Sequence, residues 1–99
     1  MDEAAALALL GLAQRAGQVT SGDGLCEKEI RAGRAALALL DAGASENTRE
    51  KYAALCGGRG IPLKILGADA LGQAIGKGNR MIAVVKPGGL AKKMETLLS

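Results

Sequence analysis

The residues best placed to do chemistry are Ser21-Gly22-Asp23-Gly24-Leu25-Cys26-Glu27-Lys28-Glu29-Ile30-Arg31. A glycine-flanked turn there opens a short amphipathic helix. The first N–H groups of that helix are free, its positive dipole end faces the turn, and Lys28 stands one turn further on. Together they make an anion site suited to phosphate. Leu25, Lys28 and Arg31 follow one another at three-residue spacing and share one face, whereas Cys26 and Ile30 point into the core. A second segment, Gly76-Lys77-Gly78-Asn79-Arg80, offers further donors and two cations.

Catalysis finds few groups to work with. The chain has no histidine to shuttle protons near neutral pH. Its carboxylates are scattered, mostly in first turns of helices or on outer faces, where they serve as capping or solvent-side groups. Asp23, inside the glycine turn, is expected to cap the helix by accepting from its orphan N–H groups. Cys26 at a helix start has the position of an activated nucleophile, but its apolar partner Ile30 one turn on favours core packing. Cys26 and Cys56 lack metal-ligand spacing and read as reduced thiols of a cytoplasmic protein. Neither glycine cluster is a nucleotide signature: Ser21-Gly22-Asp23-Gly24 lacks the third glycine of a dinucleotide fingerprint, and no Gly-Lys-Ser/Thr occurs. The expectation is therefore no catalytic residue, no metal and no cofactor.

The partner is better marked by charge. The net charge is +3, but residues 1–50 hold five bases against eight acids and residues 51–99 hold eight bases against two acids. Lys64, Lys77, Arg80, Lys86, Lys92 and Lys93 collect in the second half. A solvated surface explains such a balance as well as a polyanion partner does. The anion site at Gly22 tips the reading toward RNA. No apolar run reaches the ~18 residues of a membrane span, and Asp2 and Glu3 are unlike the basic start of a signal peptide. No membrane partner is expected.

The elements that must position these groups follow from periodicity and stop signals. Ninety-nine residues are expected to form a single domain, 1–99, that buries about 65% of its unfolded-chain surface. Tyr52 is the only aromatic residue, so the core must be layers of small aliphatics. A helix over residues 3–16, with Leu9, Leu12, Ala13 and Ala16 on one face, ends at Gly17. Val19-Thr20-Ser21 is extended, and a second helix runs from Asp23 or Gly24 to Ala32. Ala36-Leu37-Ala38-Leu39-Leu40 lacks β-branched residues and reads as helix by propensity. Its flanking Gly33 and Asp41-Ala42-Gly43 turn favour a buried strand. Ser45 caps a helix over Glu46–Cys56 with Tyr52, Leu55 and Cys56 inward. Strands over Ile61–Leu66 and Met81–Val85 flank a short helix from Asp69 to Ile75. A last helix follows Pro87-Gly88-Gly89, with Leu90, Met94, Leu97 and Leu98 at helical spacing. Helices alternating with strands imply an α/β fold with a small mixed sheet covered on both faces.

The whole order resembles a known family. Val19-Thr20-Ser21-Gly22, a basic-faced helix, Gly33, a small-aliphatic strand and Asp41…Ala44-Ser45-Glu46-Asn47-Thr48 occur in sequence. Gly60-Ile61-Pro62 and Leu71-Gly72-Gln73-Ala74-Ile75-Gly76 follow at the right spacing. This is similar to the kink-turn-binding ribosomal protein L-seven-Ae family, and most of all to its short bacterial YlxQ-type members. The likeness runs from Leu9 to Leu98. It implies a three-layer α-β-α sandwich with a small four-stranded mixed sheet, and binding to RNA kink-turns, bent internal loops with tandem sheared G·A pairs. In the family a Gly-x-Asn-Glu-x-x-Lys motif opens the second helix and reads the G·A guanines. A loop before the last strand covers a flipped-out base.

Here Gly22 keeps the motif glycine and Lys28 its lysine, while Gly24 stands for the asparagine and Leu25 for the glutamate. Glycine and leucine offer base edges no side-chain hydrogen bond, and one bidentate base contact carries roughly 1–3 kcal/mol of discrimination. The expected function is a non-catalytic RNA-binding protein, ribosomal or RNA-processing in type, that recognises a structured RNA (a kink-turn in rRNA or an mRNA leader) with weakened base specificity. Gly22, Asp23, Gly24 and Lys28 form the phosphate-facing turn. Leu25 and Arg31 flank it, and Lys77, Asn79 and Arg80 supply a second contact loop. The alternative is a protein-interaction module on the same fold that has lost base readout and uses Leu25 to anchor a ribosomal or other RNA-processing protein.

Overall fold

In the computed structural model, which describes residues 1–99, nine elements alternate along the chain. They are α1 (Glu3–Arg15), β1 (Val19–Ser21), α2 (Asp23–Arg31), β2 (Leu37–Asp41), α3 (Glu46–Gly57), β3 (Leu63–Leu66), α4 (Ala70–Ile75), β4 (Ile82–Val85) and α5 (Gly89–Leu97). The strands form one mixed sheet in the order β1-β4-β2-β3. β4 lies antiparallel to both β1 and β2, and β2 pairs parallel with β3.

Side chains alternate across a strand with period two, so the two faces of this sheet carry separate cores. Leu37, Leu39, Leu66, Ala83 and Val85 pack under α1, α4 and α5 with Ala6, Leu10, Leu71, Ile75, Met94 and Leu98. Ala38, Leu40, Ile82 and Val84 pack under α2 and α3 with Cys26, Ile30, Tyr52, Leu55 and Cys56. The expected three-layer α-β-α sandwich is what forms. β2 and β4 are buried at every position, which is why they read as continuous apolar runs.

Two expected helix faces need correction. On α1 the buried line is Ala6, Leu10 and Ala13, while Leu12 and Ala16 are exposed. Leucine and alanine surround this helix on every side, so its sequence points no single face inward. On α5 the inward line is Ala91, Met94 and Leu98, with Leu90 and Leu97 at its borders. Ser45 does cap α3, accepting from the Thr48 N–H at 3.2 Å.

Asp41, at the end of β2, is fully buried in this apolar setting because its carboxylate is satisfied. It accepts from the Gly43 N–H at 2.8 Å, from Asp69 N–H at 3.2 Å and from Leu71 N–H at 3.4 Å. One buried side chain thus holds the β2–α3 turn and the start of α4 together, as burial of a carboxylate requires.

Candidate functional site

The antiparallel pairing of β1 with β4 decides what the glycine turn meets. Ser21 stands opposite Ala83, and one residue further on the Gly22 N–H donates to the Ile82 carbonyl at 3.1 Å. The chain entering β4 therefore lies beside the chain leaving β1. This brings the loop at residues 76–80 against the start of α2, although more than fifty residues separate them in sequence. The contact is close: a methyl group built on Gly22 would lie 3.0 Å from Arg80 Nη1. Gly22 also has φ +97°, a backbone conformation that L side chains rarely adopt. The backbone conformation is what favours glycine there, since the end of the Arg80 side chain can yield.

Gly22 is the N-cap of α2 and supplies no side chain to cap it. The first N–H groups of the helix are thus left without a side-chain acceptor at its positive end. Gly24 and Leu25 are exposed, with Leu25 at 61%. Lys28 is exposed on the same helix. Lys77 and Asn79 are exposed in the neighbouring loop, where Asn79 takes a left-handed conformation at φ 59°. The loop is held by the Lys77 N–H, which donates to Gly72 O at 3.0 Å. Gly72 must be glycine, since a methyl there would stand 2.6 Å from the Lys77 carbonyl oxygen. Every ion pair in the molecule belongs to Arg31, Arg34 or Lys51, so Lys28, Lys77 and Arg80 have no acidic partner. The Arg80 Nε is buried and makes no hydrogen bond.

Asp23 does not cap the helix as the sequence led one to expect. It is the first helical residue, and its carboxylate turns sideways toward α3. Its Oδ1 accepts from Lys51 Nζ at 2.9 Å and lies 2.6 Å from the Tyr52 hydroxyl. That hydroxyl also lies 2.7 Å from the Asp23 carbonyl. Lys51 reaches Glu27 Oε1 as well, at 2.7 Å, and so bridges two acids of α2. The Tyr52 hydrogen bond, then that of Lys51, holds the Asp23 carboxyl below its ordinary value. Lys51 and then Arg31 do the same for Glu27, while Glu27 and Asp23 raise Lys51. Burial, and next the Asp23 hydrogen bond, pushes the Tyr52 phenol up.

Arg31 is exposed but lies at the other end of α2, about 9 Å of helix rise from Leu25. Its Nε is paired with Glu27 Oε2 at 2.9 Å. It therefore shares the face of Leu25 and Lys28 but not their freedom. Cys26 is fully buried between β1 and β4, near the carbonyls of Thr20 and Ile82. Burial pushes its thiol up to about 12, so it has no thiolate to offer near neutral pH.

The structure sets Gly22 against Arg80, so the start of the helix that exposes Gly24, Leu25 and Lys28 lies beside the loop that exposes Lys77 and Asn79, while Arg31 is already paired with Glu27. Reasoning from the sequence missed Lys51 and Tyr52, which hold Asp23. The lone aromatic of the chain was the available signal, though its inward position on α3 was read as packing alone. The arrangement can grip an anionic backbone through helix N–H groups and unpaired cations, next to a carboxylate with one unused oxygen.

The chain matches the model of the ribosomal protein L7Ae/L30e/S12e/Gadd45 family over residues 4–94. It is 45% identical to the RNA-binding protein YlxQ of Bacillus subtilis over 91 residues, 91% of each chain. It is 34% identical to the RNA-binding protein YlxQ of Enterococcus faecium, over 94% of this chain and 90% of that one. Among solved structures, a Bacillus halodurans protein of unknown function superposes with a TM-score of 0.89 at 37% identity, covering 94% of this chain and 95% of the other. The 15.5kD RNA binding protein of Giardia lamblia shares the fold at a TM-score of 0.76 and 20% identity, over 92% and 85% of the two chains.

Proposed function

The chain belongs to the ribosomal protein L7Ae/L30e/S12e/Gadd45 family, and from that premise we propose that it is a non-catalytic RNA-binding protein. Its ligand is a structured, kink-turn-like RNA of the ribosome or of RNA processing, met in the cytoplasm as one 1–99 unit without cofactor or metal. The observation that carries this reading is the close approach of Arg80 to Gly22, which supports treating the start of α2 and the 76–80 loop as one contact surface. The names of the YlxQ relatives support the ligand class.

Phosphates take the uncapped N–H groups at Asp23–Leu25 together with Lys28, Lys77 and Arg80, and Asn79 adds a neutral donor. Such contacts position an RNA without specifying its sequence. With Gly24 and Leu25 where the family motif has asparagine and glutamate, grip outweighs base reading. Arg31 contributes little, since Glu27 already neutralises it. The enzyme reading has no support in a buried Cys26 or a tethered Asp23.

Calorimetric titration with a kink-turn RNA, beside a version whose G·A pairs are made Watson–Crick, tests the reading. Tighter binding to the kink-turn is expected, and equal affinity for both rejects kink-turn recognition while leaving general RNA binding in place. If about four phosphates are neutralised, log affinity falls with log salt at a slope of roughly −3 to −4. A flat salt response removes the electrostatic grip altogether.

The exposure of Leu25 favours one second reading, a protein-interaction module on this fold. Leu25→Glu separates the two. Loss of a ribosomal-protein partner with RNA affinity untouched supports the module, whereas improved kink-turn binding supports an RNA reader.

A further inference from the structure

The sheet has an open side. In the order β1-β4-β2-β3, β3 is an edge strand, three strand spacings (about 14 Å) from β1 and the turn proposed to meet RNA. Its parallel pairing with β2 uses alternate residues: the Ala38 N–H donates to the Pro62 carbonyl at 2.9 Å and the Ala42 N–H to the Leu66 carbonyl at 2.9 Å. Leu63 and Ile65 therefore turn their N–H and C=O groups outward, and no turn or loop takes them up. Such an edge is a template for another strand, and proteins blunt it with brevity, lysine or proline. β3 has four residues, carries Lys64 and follows Pro62. It nevertheless exposes Ile65 at 50%, on the side of the sheet where Ile61 and Leu63 are partly buried.

Charge decides what can pair there. Lys64 and, just ahead of the strand, Arg59 belong to no ion pair. A second copy pairing antiparallel through Leu63 and Ile65 would set Lys64 directly opposite its own counterpart, and like charges so placed are destabilising. A carboxylate in that position is stabilising instead. Arg59 and Ile61 also line the concavity of about 350 Å³ at the start of the strand, an apolar wall beside an unshared cation. We propose that the free edge of β3 receives an extended protein segment in which acidic and aliphatic residues alternate. One acid stands opposite Lys64, aliphatic side chains lie beside Ile65, Leu63 and Ile61, and a further acid meets Arg59. Strand addition of this kind takes its affinity from main-chain hydrogen bonds and its specificity from alternate side chains. The inference is independent of the RNA-binding reading, since the two surfaces lie on opposite edges of the sheet.

The probe is the peptide acetyl-Asp-Ile-Glu-Val-Glu-Leu-Asp-amide, titrated into the ¹⁵N-labelled protein. Saturable shifts are expected at the amides of residues 59–66, with a Kd of about 1 mM or tighter. Methylating the peptide's Ile and Val nitrogens, which face β3 in this register, should abolish binding. Methylating the nitrogen of the Glu between them, which faces away, should change affinity no more than about twofold. Lys64→Glu should weaken the acidic peptide about fivefold and should favour a version with lysine in place of every acid.

Absence of saturable shifts along β3 up to about 5 mM peptide, five times that Kd, would overturn the proposal. So would equal binding of the two methylated forms, or an unchanged preference for the acidic peptide in Lys64→Glu. Shifts at Leu63–Leu66 that follow protein concentration without peptide would assign the edge to a second copy, and shifts there on adding kink-turn RNA alone would assign it to RNA. Either result also overturns the proposal. The methylated peptides are read on the wild type, so the test gives a result even if Lys64→Glu fails to fold.

Discussion

The two exposed cations of α2, Lys28 and Arg31, share its last turn but stand in different states. Lys28 has no acidic partner, while at the N-terminal end Gly22 leaves the helix uncapped and Arg80 leans in from the loop before β4. At the C-terminal end Arg31 is paired with Glu27 and Arg34 with Glu29. A concavity of about 350 Å³ lies there between Ile30, Arg31, Gly33, Ala35, Arg59 and Ile61. Formal charge does not separate these cations; availability does. A cation with a carboxylate at hydrogen-bond distance must give up that partner before it can serve a phosphate, and an unpaired one need not. The difference favours Lys28 and the uncapped start of α2 over Arg31 and Arg34 for the proposed RNA surface, a distinction that counting lysines and arginines could not reach.

The strongest way to break the contrast is to replace Gly22. In Gly22→Val a side chain is forced into φ +97° and against Arg80 Nη1. The backbone strain costs about 1–3 kcal/mol of stability, read as a shift in the urea midpoint, and RNA affinity should fall at least tenfold by calorimetry. Next is Gly72→Ala, which lies outside the proposed surface but presses on the backbone of the loop that carries Lys77 and Asn79. Its methyl would collide with the Lys77 carbonyl at 2.6 Å, so the 76–80 loop must move. Stability should drop by about 1–3 kcal/mol and RNA affinity several-fold. Unchanged affinity would show that the loop takes no part.

Lys28→Ala against Arg31→Ala sharpens the comparison itself. Lys28→Ala should weaken RNA binding about fivefold to tenfold and lower the salt slope by roughly 0.7–0.9. Arg31→Ala should change affinity less than twofold. Equal losses would mean that the Glu27 pair does not withdraw Arg31 from the ligand.

The smallest effect is on pH dependence. The folded-state values of Asp23 and Glu27 lie below their ordinary 3.8 and 4.5. Their contribution is therefore present above those ordinary values and is lost as pH falls through the lowered ones. Lys51→Met should flatten that part of the acid limb of a stability-versus-pH curve and leave the limb above pH 6 parallel to the wild type. All of these groups are solvent-facing, so the change is small and should shrink further in salt.

Much of the fold was legible in the sequence for local reasons. Ile82–Val85 is an apolar β-branched run between breakers, and Ser45 with Thr48 is a capping signal that needs no tertiary context. The face of α1 was not legible, because Leu9, Leu10 and Leu12 are equally apolar and only the sheet beneath chooses among them. The glycine turn and its helix could be read, as could the exposure of Leu25 and Lys28. What joins them could not. The meeting of Gly22 with Arg80 follows from the pairing of β1 with β4, and the hold of Tyr52 on Asp23 spans 29 residues. No spacing rule reaches either. Asp23 was misread for the same reason: capping is the local option for an aspartate in that place, and a fixed donor on α3 outcompetes it.

The most direct measurement is a ¹⁵N–¹H correlation spectrum of the protein, recorded during titration with a kink-turn RNA at low salt. The account predicts that the largest shifts fall on the amides of Gly22–Lys28 and of residues 76–80, with Arg31–Arg34 and the outer faces of α1 and α5 little changed. Shifts concentrated at Arg31, Arg34 and Arg59, with the Gly22–Lys28 amides unmoved, would contradict it.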